Sequence, residues 1–151
     1  MSDNYIIFVP EDPRFVPSAD RIADGLSVAA RLFPKADAIK ADLPGGIECF
    51  DAGGNFESTT CPGCGKKLPD AWWATAADAD QEESGFRLGV FRTPCCASDV
   101  TLNDLRYEWP QRFGMFGLEI QNPNVGLLAA GDVVALESAV GTFLRVVYRH
   151  L

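Results

Sequence analysis

The chain has 151 residues, 47% of them hydrophobic, with 21 acidic against 13 basic side chains and a formal net charge of −8. That length suits one domain with a proper core, and no apolar run approaches the ~20 residues a membrane-spanning helix requires. The negative field repels phosphate backbones and anionic lipid, so a membrane partner is excluded and nucleic acid is disfavoured.

In chain order, Tyr5 to Val9 is a short apolar run closed by Pro10, and Pro13 and Pro17 keep the next stretch irregular, which predicts a buried first strand and a loop. Ser18 precedes Ile22, Leu26, Ala29, Ala30 and Phe33 at helical spacing, predicting a capped helix over 19–32. Ala38 to Leu43 and Ile47 to Phe50 flank Pro44-Gly45-Gly46 and read as a hairpin leading into the first cysteines. From Pro69 to about Glu83 an alanine-rich stretch predicts a helix ended by Gly85, and Phe86 to Phe91 alternates like a strand delivering the last cysteines.

Thr101 to Leu105 reads as a capped turn, and Phe113 to Ile120 as a strand running up to Asn122-Pro123-Asn124. Asp132 is placed to cap a helix over 133–140 with Gly141 at its stop, and Phe143 to Leu151 forms a last strand. The order strand, helix, strand, insertion, strand, helix, strand predicts an α/β (α+β) fold: a ferredoxin-like split βαβ sandwich. It occupies residues 1–151 as one domain, with a zinc ribbon inserted over 59–100.

Cys61-Pro62-Gly63-Cys64-Gly65 and the adjacent pair Cys95-Cys96 carry the chemistry. Four thiols in two close pairs have the spacing of two knuckles closing on one tetrahedral zinc, with sulfurs about 2.3 Å from the ion. Gly65 fits a knuckle whose next residue takes positive φ. In an extended strand Cys95 and Cys96 would point to opposite faces, so both reach one metal only if Pro94 opens a turn. Four thiolates fill every position of a tetrahedral ion, so the expected Zn2+ is single and structural. A thioredoxin-type dithiol at Cys61 and Cys64 is the rival reading, although Gly65-Lys66-Lys67-Leu68-Pro69 is a poor helix opening for it. Spacing alone does not separate zinc from iron.

The CxxCG knuckle answered by a Cys-Cys pair resembles the zinc site of a small subunit of archaeal and eukaryotic RNA polymerase, a precedent for vicinal ligands that extends to those residues only. A longer stretch, about Cys61 to Leu151, resembles a group of small uncharacterised bacterial proteins. They share a CPxCG knuckle, a PCC knuckle and a segment like Leu102-Asn103-Asp104-Leu105-Arg106-Tyr107-Glu108-Trp109-Pro110. That resemblance implies a zinc ribbon on an α/β body and no particular activity. This chain has Cys96-Ala97-Ser98 where those proteins more often carry a glycine after the pair.

No catalytic residue is assigned. The chain lacks G-x-x-x-x-G-K-[ST], G-x-G-x-x-G after a strand, H-E-x-x-H and G-x-S-x-G, the usual residues of nucleotide hydrolysis, dinucleotide binding, zinc proteolysis and serine hydrolysis. His150 is the single histidine and reads as a terminal-strand side chain; Cys49 reads as a small buried hydrophobe. Trp72 and Trp73 with Asp78, Asp80, Glu82 and Glu83 form the candidate surface for a protein partner, aromatic and acidic together. Asn103, Asp104 and Arg106, beside the second knuckle, are candidates for ligand contact or for capping.

The odd, motif-clustered set of five cysteines suits a reducing compartment, and the opening residues carry no basic segment before a long apolar stretch, so the expected location is cytoplasmic. The leading expectation is a non-enzymatic, zinc-stabilised interaction module for a basic protein partner, for example an acidic antitoxin or immunity-type inhibitor or regulator. A small enzyme or ligand sensor with carboxylates such as Asp51 or Asp104 in a polar cleft is the second. A nucleic-acid binder is the third, and it would have to use Lys66, Lys67, Arg87 and Arg92.

Overall fold

A computed structural model describes residues 2–151. Its first half runs β1 (Asn4–Pro10), α1 (Ala19–Leu32), β2 (Ala38–Asp42), β3 (Glu48–Phe50), β4 (Ser58–Thr60) and α2 (Asp70–Asp80). Four two-residue strands follow: β5 (Gln81–Glu82), β6 (Gly85–Phe86), β7 (Phe91–Arg92) and β8 (Asp99–Val100). After a short 3-10 turn at Leu102–Asp104 come β9 (Arg106–Glu108), β10 (Arg112–Gly114), β11 (Gly117–Gln121), α3 (Ala130–Val140) and β12 (Leu144–His150). The protein is a mixed α/β fold of three helices, one four-stranded sheet and four small two-stranded sheets among the described residues.

The main sheet has the order β12, β1, β11, β2, every neighbouring pair antiparallel. β1 and β2, joined by α1, therefore run parallel with β11 between them, and β11 and β12, joined through α3, run parallel with β1 between them. β1 is central and covered on both faces, which explains its unbroken apolar run. Ile6 and Phe8 join the cluster under the two helices, whereas Ile7 and Val9 meet Phe50 and Val147 on the other side.

Helix α1 begins where the cap residue predicts, with Ser18 Oγ accepting from the Arg21 amide at 3.3 Å. A Cβ on its buried Gly25 would lie 3.0 Å from Val140, so that glycine sets how closely α1 approaches α3. α3 starts at Ala130, earlier than expected, and Asp132 lies inside its first turn, where a carboxylate favours the helix N-terminus without acting as the cap. Gly141, at φ +88, ends it by donating to the Glu137 carbonyl at 2.8 Å.

Three local expectations give way to longer-range pairing. β2 and β3 make no hairpin: β2 lies along β11 and β3 along β10, because each finds a buried partner distant in the chain. The stretch from Phe113 to Ile120 is split into β10 and β11, with Gly117 seated against the Phe50 ring, where a Cβ would come within 2.6 Å. α2 stops at Asp80, and the chain turns into the β5–β6 hairpin with Gly85 at φ +137, so Glu82 and Glu83 sit on that hairpin. The strand expected over 86–91 is likewise interrupted, by a buried Leu88 in left-handed backbone at φ +55.

A second apolar cluster forms the body of the cysteine-bearing unit: Leu68, Ala76, Ala77, Leu88, Val100, Leu102, Leu105 and Tyr107 close around Cys61. Ile47 and Phe113 belong to the same cluster, and the Phe86 ring stands edge-on to Phe113 at 5.0 Å. The unit is therefore keyed into the β3–β10 pair and is not tethered by its two chain crossings alone.

Candidate metal centre

The two knuckles are one backbone turn used twice. In the first, which follows β4, the Gly65 amide donates to the Cys61 carbonyl and the Cys61 amide to the Lys66 carbonyl, both at 2.9 Å. In the second, between β7 and β8, the Ala97 amide donates to the Thr93 carbonyl and the Thr93 amide to the Ser98 carbonyl, both at 3.0 Å. Cys61-Pro62-Gly63-Cys64-Gly65 thus corresponds, residue for residue, to Thr93-Pro94-Cys95-Cys96-Ala97. The residue after each second ligand is left-handed, Gly65 at φ +76 and Ala97 at φ +55. Pro94 does open a turn, and the vicinal pair reaches one point because Cys95 occupies the Gly63 position and Cys96 the Cys64 position.

All four sulfurs lie within 4.8 Å of one another, so Cys61, Cys64, Cys95 and Cys96 form a cluster that can hold one metal ion. A tetrahedral ion with arms of about 2.3 Å has sulfur-to-sulfur edges of about 3.8 Å. Cys61 to Cys96 is 3.7 Å and Cys95 to Cys96 is 4.0 Å, close to that edge, while Cys64 to Cys95 is 3.2 Å, an edge an ion would open. All five cysteines are free of disulfides. Cys61 is fully buried and Cys64 and Cys96 are exposed, so the cluster sits at the surface end of the unit with one sulfur rooted in its core.

Surrounding donors prepare two of the sulfurs for thiolate. Amide hydrogen bonds, first that of Cys64, hold the Cys61 thiol below its ordinary value. The Ser98 and Thr93 hydroxyls, 3.0 and 3.5 Å from the Cys96 sulfur, bring that thiol down to about 6. Cys95, hydrogen-bonded first to Cys64, is pushed up to about 11. Gly63 allows the knuckles to approach: a Cβ there would fall 2.3 Å from Ser98 Oγ and 3.2 Å from Cys96 Sγ. Thr93 and Ser98 were not singled out from the sequence, although aligning Pro62 with Pro94 would have drawn attention to both.

The other sequence candidates divide by burial. Asp80 is buried and accepts from the Leu88 amide at 2.9 Å and the Gly89 amide at 2.8 Å, holding the left-handed bend at Leu88, and so drops out of the exposed acidic set. Its position at the end of α2 facing two free amides explains why an acid is needed there. Trp73 is half-buried, donates from Nε1 to Tyr107 Oη at 2.9 Å and stands edge-on to that ring, while Trp72 packs partly buried on the same cluster. Asp78, Glu82 and Glu83 are exposed, with Glu82 3.5 Å from Arg87.

Around the 3-10 turn, Asp104 accepts from the Thr101 amide at 2.8 Å in a capping box, and Asn103 accepts from the Phe113 amide at 3.0 Å. Arg106 is exposed on β9. Of the four cations proposed for nucleic acid, Arg87 is tied to the Ala79 carbonyl and to Glu82, and Arg92 to Asp99. Asp51 caps the Gly53 amide at 2.8 Å and lies 3.6 Å from Arg149. Cys49, expected to be buried, is half-buried at the edge of the second apolar cluster, and desolvation pushes its thiol up to about 12. His150 Nδ1 meets Asn4 Oδ1 at 2.7 Å at the end of the main sheet and is not part of the sulfur cluster. No described helix is long and apolar enough to cross a membrane. Compared with family models, curated proteins and solved structures, the chain matches none.

Proposed function

We propose that the protein is a non-enzymatic cytoplasmic interaction module in which one structural zinc staples a ribbon onto a ferredoxin-like split βαβ core. The observation that carries this reading is the donor set: four sulfurs and no other ligand leave no coordination position for water or substrate, as a structural site requires. The strand order of the main sheet and the insertion of the ribbon between its second and third strands in chain order support the ferredoxin-like assignment. The amide and hydroxyl donors that face the Cys61 and Cys96 sulfurs suit metal-bound thiolates.

The partner in this proposal is a basic protein, of the kind an acidic antitoxin, immunity-type inhibitor or regulator would hold. Asp78, Glu82 and Glu83 provide the exposed acids for it, next to the half-buried Trp72 and Trp73. Native mass spectrometry of protein purified without chelator tests the zinc: one ion per chain and four alkylation-resistant thiols are expected, and a metal-free chain with a Cys61–Cys64 disulfide would replace the reading with a redox one. Low-salt capture tests the partner. A basic protein should bind the wild type and be lost from an Asp78→Asn, Glu82→Gln, Glu83→Gln triple variant, and equal retention by that variant would remove this surface from the proposal.

A further inference from the structure

Beside the ribbon, where its loop meets the main sheet, lies an open cleft of about 460 Å³ whose walls bring together Arg14, Arg112 and Arg145. Three of the 13 basic residues of an acidic chain thus converge on one cavity. Two carboxylates share the lining, but both are committed. Glu11 is held by Arg145 at 2.8 Å, and Asp104 accepts from the Thr101 amide that it caps.

Arg112 is the group without an internal explanation. Its Nε is buried and makes no hydrogen bond among the described residues, and its guanidinium forms no ion pair with them. Burial and then the neighbouring charge of Arg145 lower its affinity for a proton, and the Glu11 and Asp104 carboxylates offset this only in part. A half-buried guanidinium with an idle buried donor and a second cation nearby is only partly compensated by those carboxylates, and a bound anion would complete the compensation. Arg14 spends one nitrogen on the Arg87 carbonyl at 3.0 Å, which fixes it at the rim with further donors left over. Asn103, its oxygen committed to the Phe113 amide, has its NH2 group to offer the same cavity.

We infer that this cleft binds a small oxyanionic ligand, one bearing phosphate or carboxylate groups, with Arg112 as the central contact and Arg14, Arg145 and Asn103 around it. Guanidinium forks match both groups bidentately, and the cavity has room for a small metabolite carrying one of them. The lining has no aromatic ring on which a base would stack, so the charged group and not a nucleobase is what the cleft recognises. The inference requires no protein partner and stands apart from the interaction surface at Asp78, Glu82 and Glu83.

The test is a titration of the zinc-loaded, isotope-labelled protein with inorganic phosphate and, separately, with succinate, at constant ionic strength, followed through arginine Nε–H and asparagine side-chain resonances. Saturable shifts confined to Arg112, Arg14, Arg145 and Asn103 are expected with at least one probe, and which probe saturates first tells phosphate from carboxylate. Arg112→Gln and Arg14→Gln should each weaken binding about tenfold or more. Arg14 is exposed, so its variant keeps the test decisive even if Arg112→Gln perturbs folding. Absence of saturation by either probe up to about 10 mM, or undiminished binding by Arg14→Gln, would overturn the assignment.

Discussion

The four-stranded sheet and the cysteine-bearing unit are held together by different means. β1 pairs along all seven of its residues with β12, and most of it is buried on both faces beneath α1, α3 and Phe50. The strands of the other unit are two or three residues long, its helix α2 contributes alanines to the core, and its bends are held by single polar devices such as Asp80 and the Thr101 capping box. Strands that short do not hold themselves in water. The sheet is held by apolar area along paired strands, whereas the cysteine-bearing unit adds to its apolar cluster four sulfurs placed where a metal cross-link could form.

The sharpest way to break this comparison is to withhold the proposed zinc. Structural zinc supplies on the order of 10 kcal/mol in small zinc domains, so chelation should abolish hydrogen-exchange protection at Thr59, Leu68 and Thr93 while Ile7, Leu118 and Val147 stay protected. Simultaneous loss in both regions would mean that the sheet also depends on the ion. The counterpart within the sheet is Glu119, buried between Lys40 Nζ at 3.3 Å and Arg149 NH1 at 3.5 Å. Glu119→Ala leaves the poorly exposed Arg149 with Asp51 alone and should lower stability by about 2–3 kcal/mol in denaturant titration; a loss under about 1 kcal/mol would show that the pair is solvent-screened.

Asp80→Asn comes next. It keeps an oxygen for one of the Leu88 and Gly89 amides, sets an NH2 group against the other and removes the charge, and should cost about 1.5–3 kcal/mol, seen as an earlier loss of the cysteine-bearing unit while the sheet's midpoint is unchanged. The smallest effect has the opposite sign. Ala97 carries a Cβ at φ +55, so Ala97→Gly should stabilise the second knuckle by about 0.5–1 kcal/mol and slow metal loss to a competing chelator.

What the sequence made legible follows the same division. α1, with Ser18 before it, reads correctly because its signal is local, and Cys61, Cys64, Cys95 and Cys96 come together as their spacing predicts because the spacing within each pair is local too. The pairing of β2 with β11 and of β3 with β10 was hidden, since Pro44-Gly45-Gly46 looks like a hairpin turn and nothing nearby announces a partner some seventy residues away. Asp80 was misread as a surface acid because its partners, the amides of Leu88 and Gly89, exist only once the chain bends back after the β5–β6 hairpin. The arginine cleft was likewise invisible, as Arg14, Arg112 and Arg145 come from three separate parts of the chain.

The matched turns at Cys61–Gly65 and Thr93–Ala97 bear on how such a site changes over evolutionary time. The two backbone bonds that close each turn do not involve the sulfurs, and the first side chain of each accepts from an amide, Cys61 Sγ from Gly63 in one turn and Thr93 Oγ1 from Ser98 in the other, so the turn itself does not dictate which position carries a ligand. Thr93 Oγ1, at the place that the Cys61 sulfur holds in the first turn, already lies 3.5 Å from Cys96 Sγ, so Thr93→Cys should put a fifth sulfur within reach of the cluster and make Cys95 replaceable.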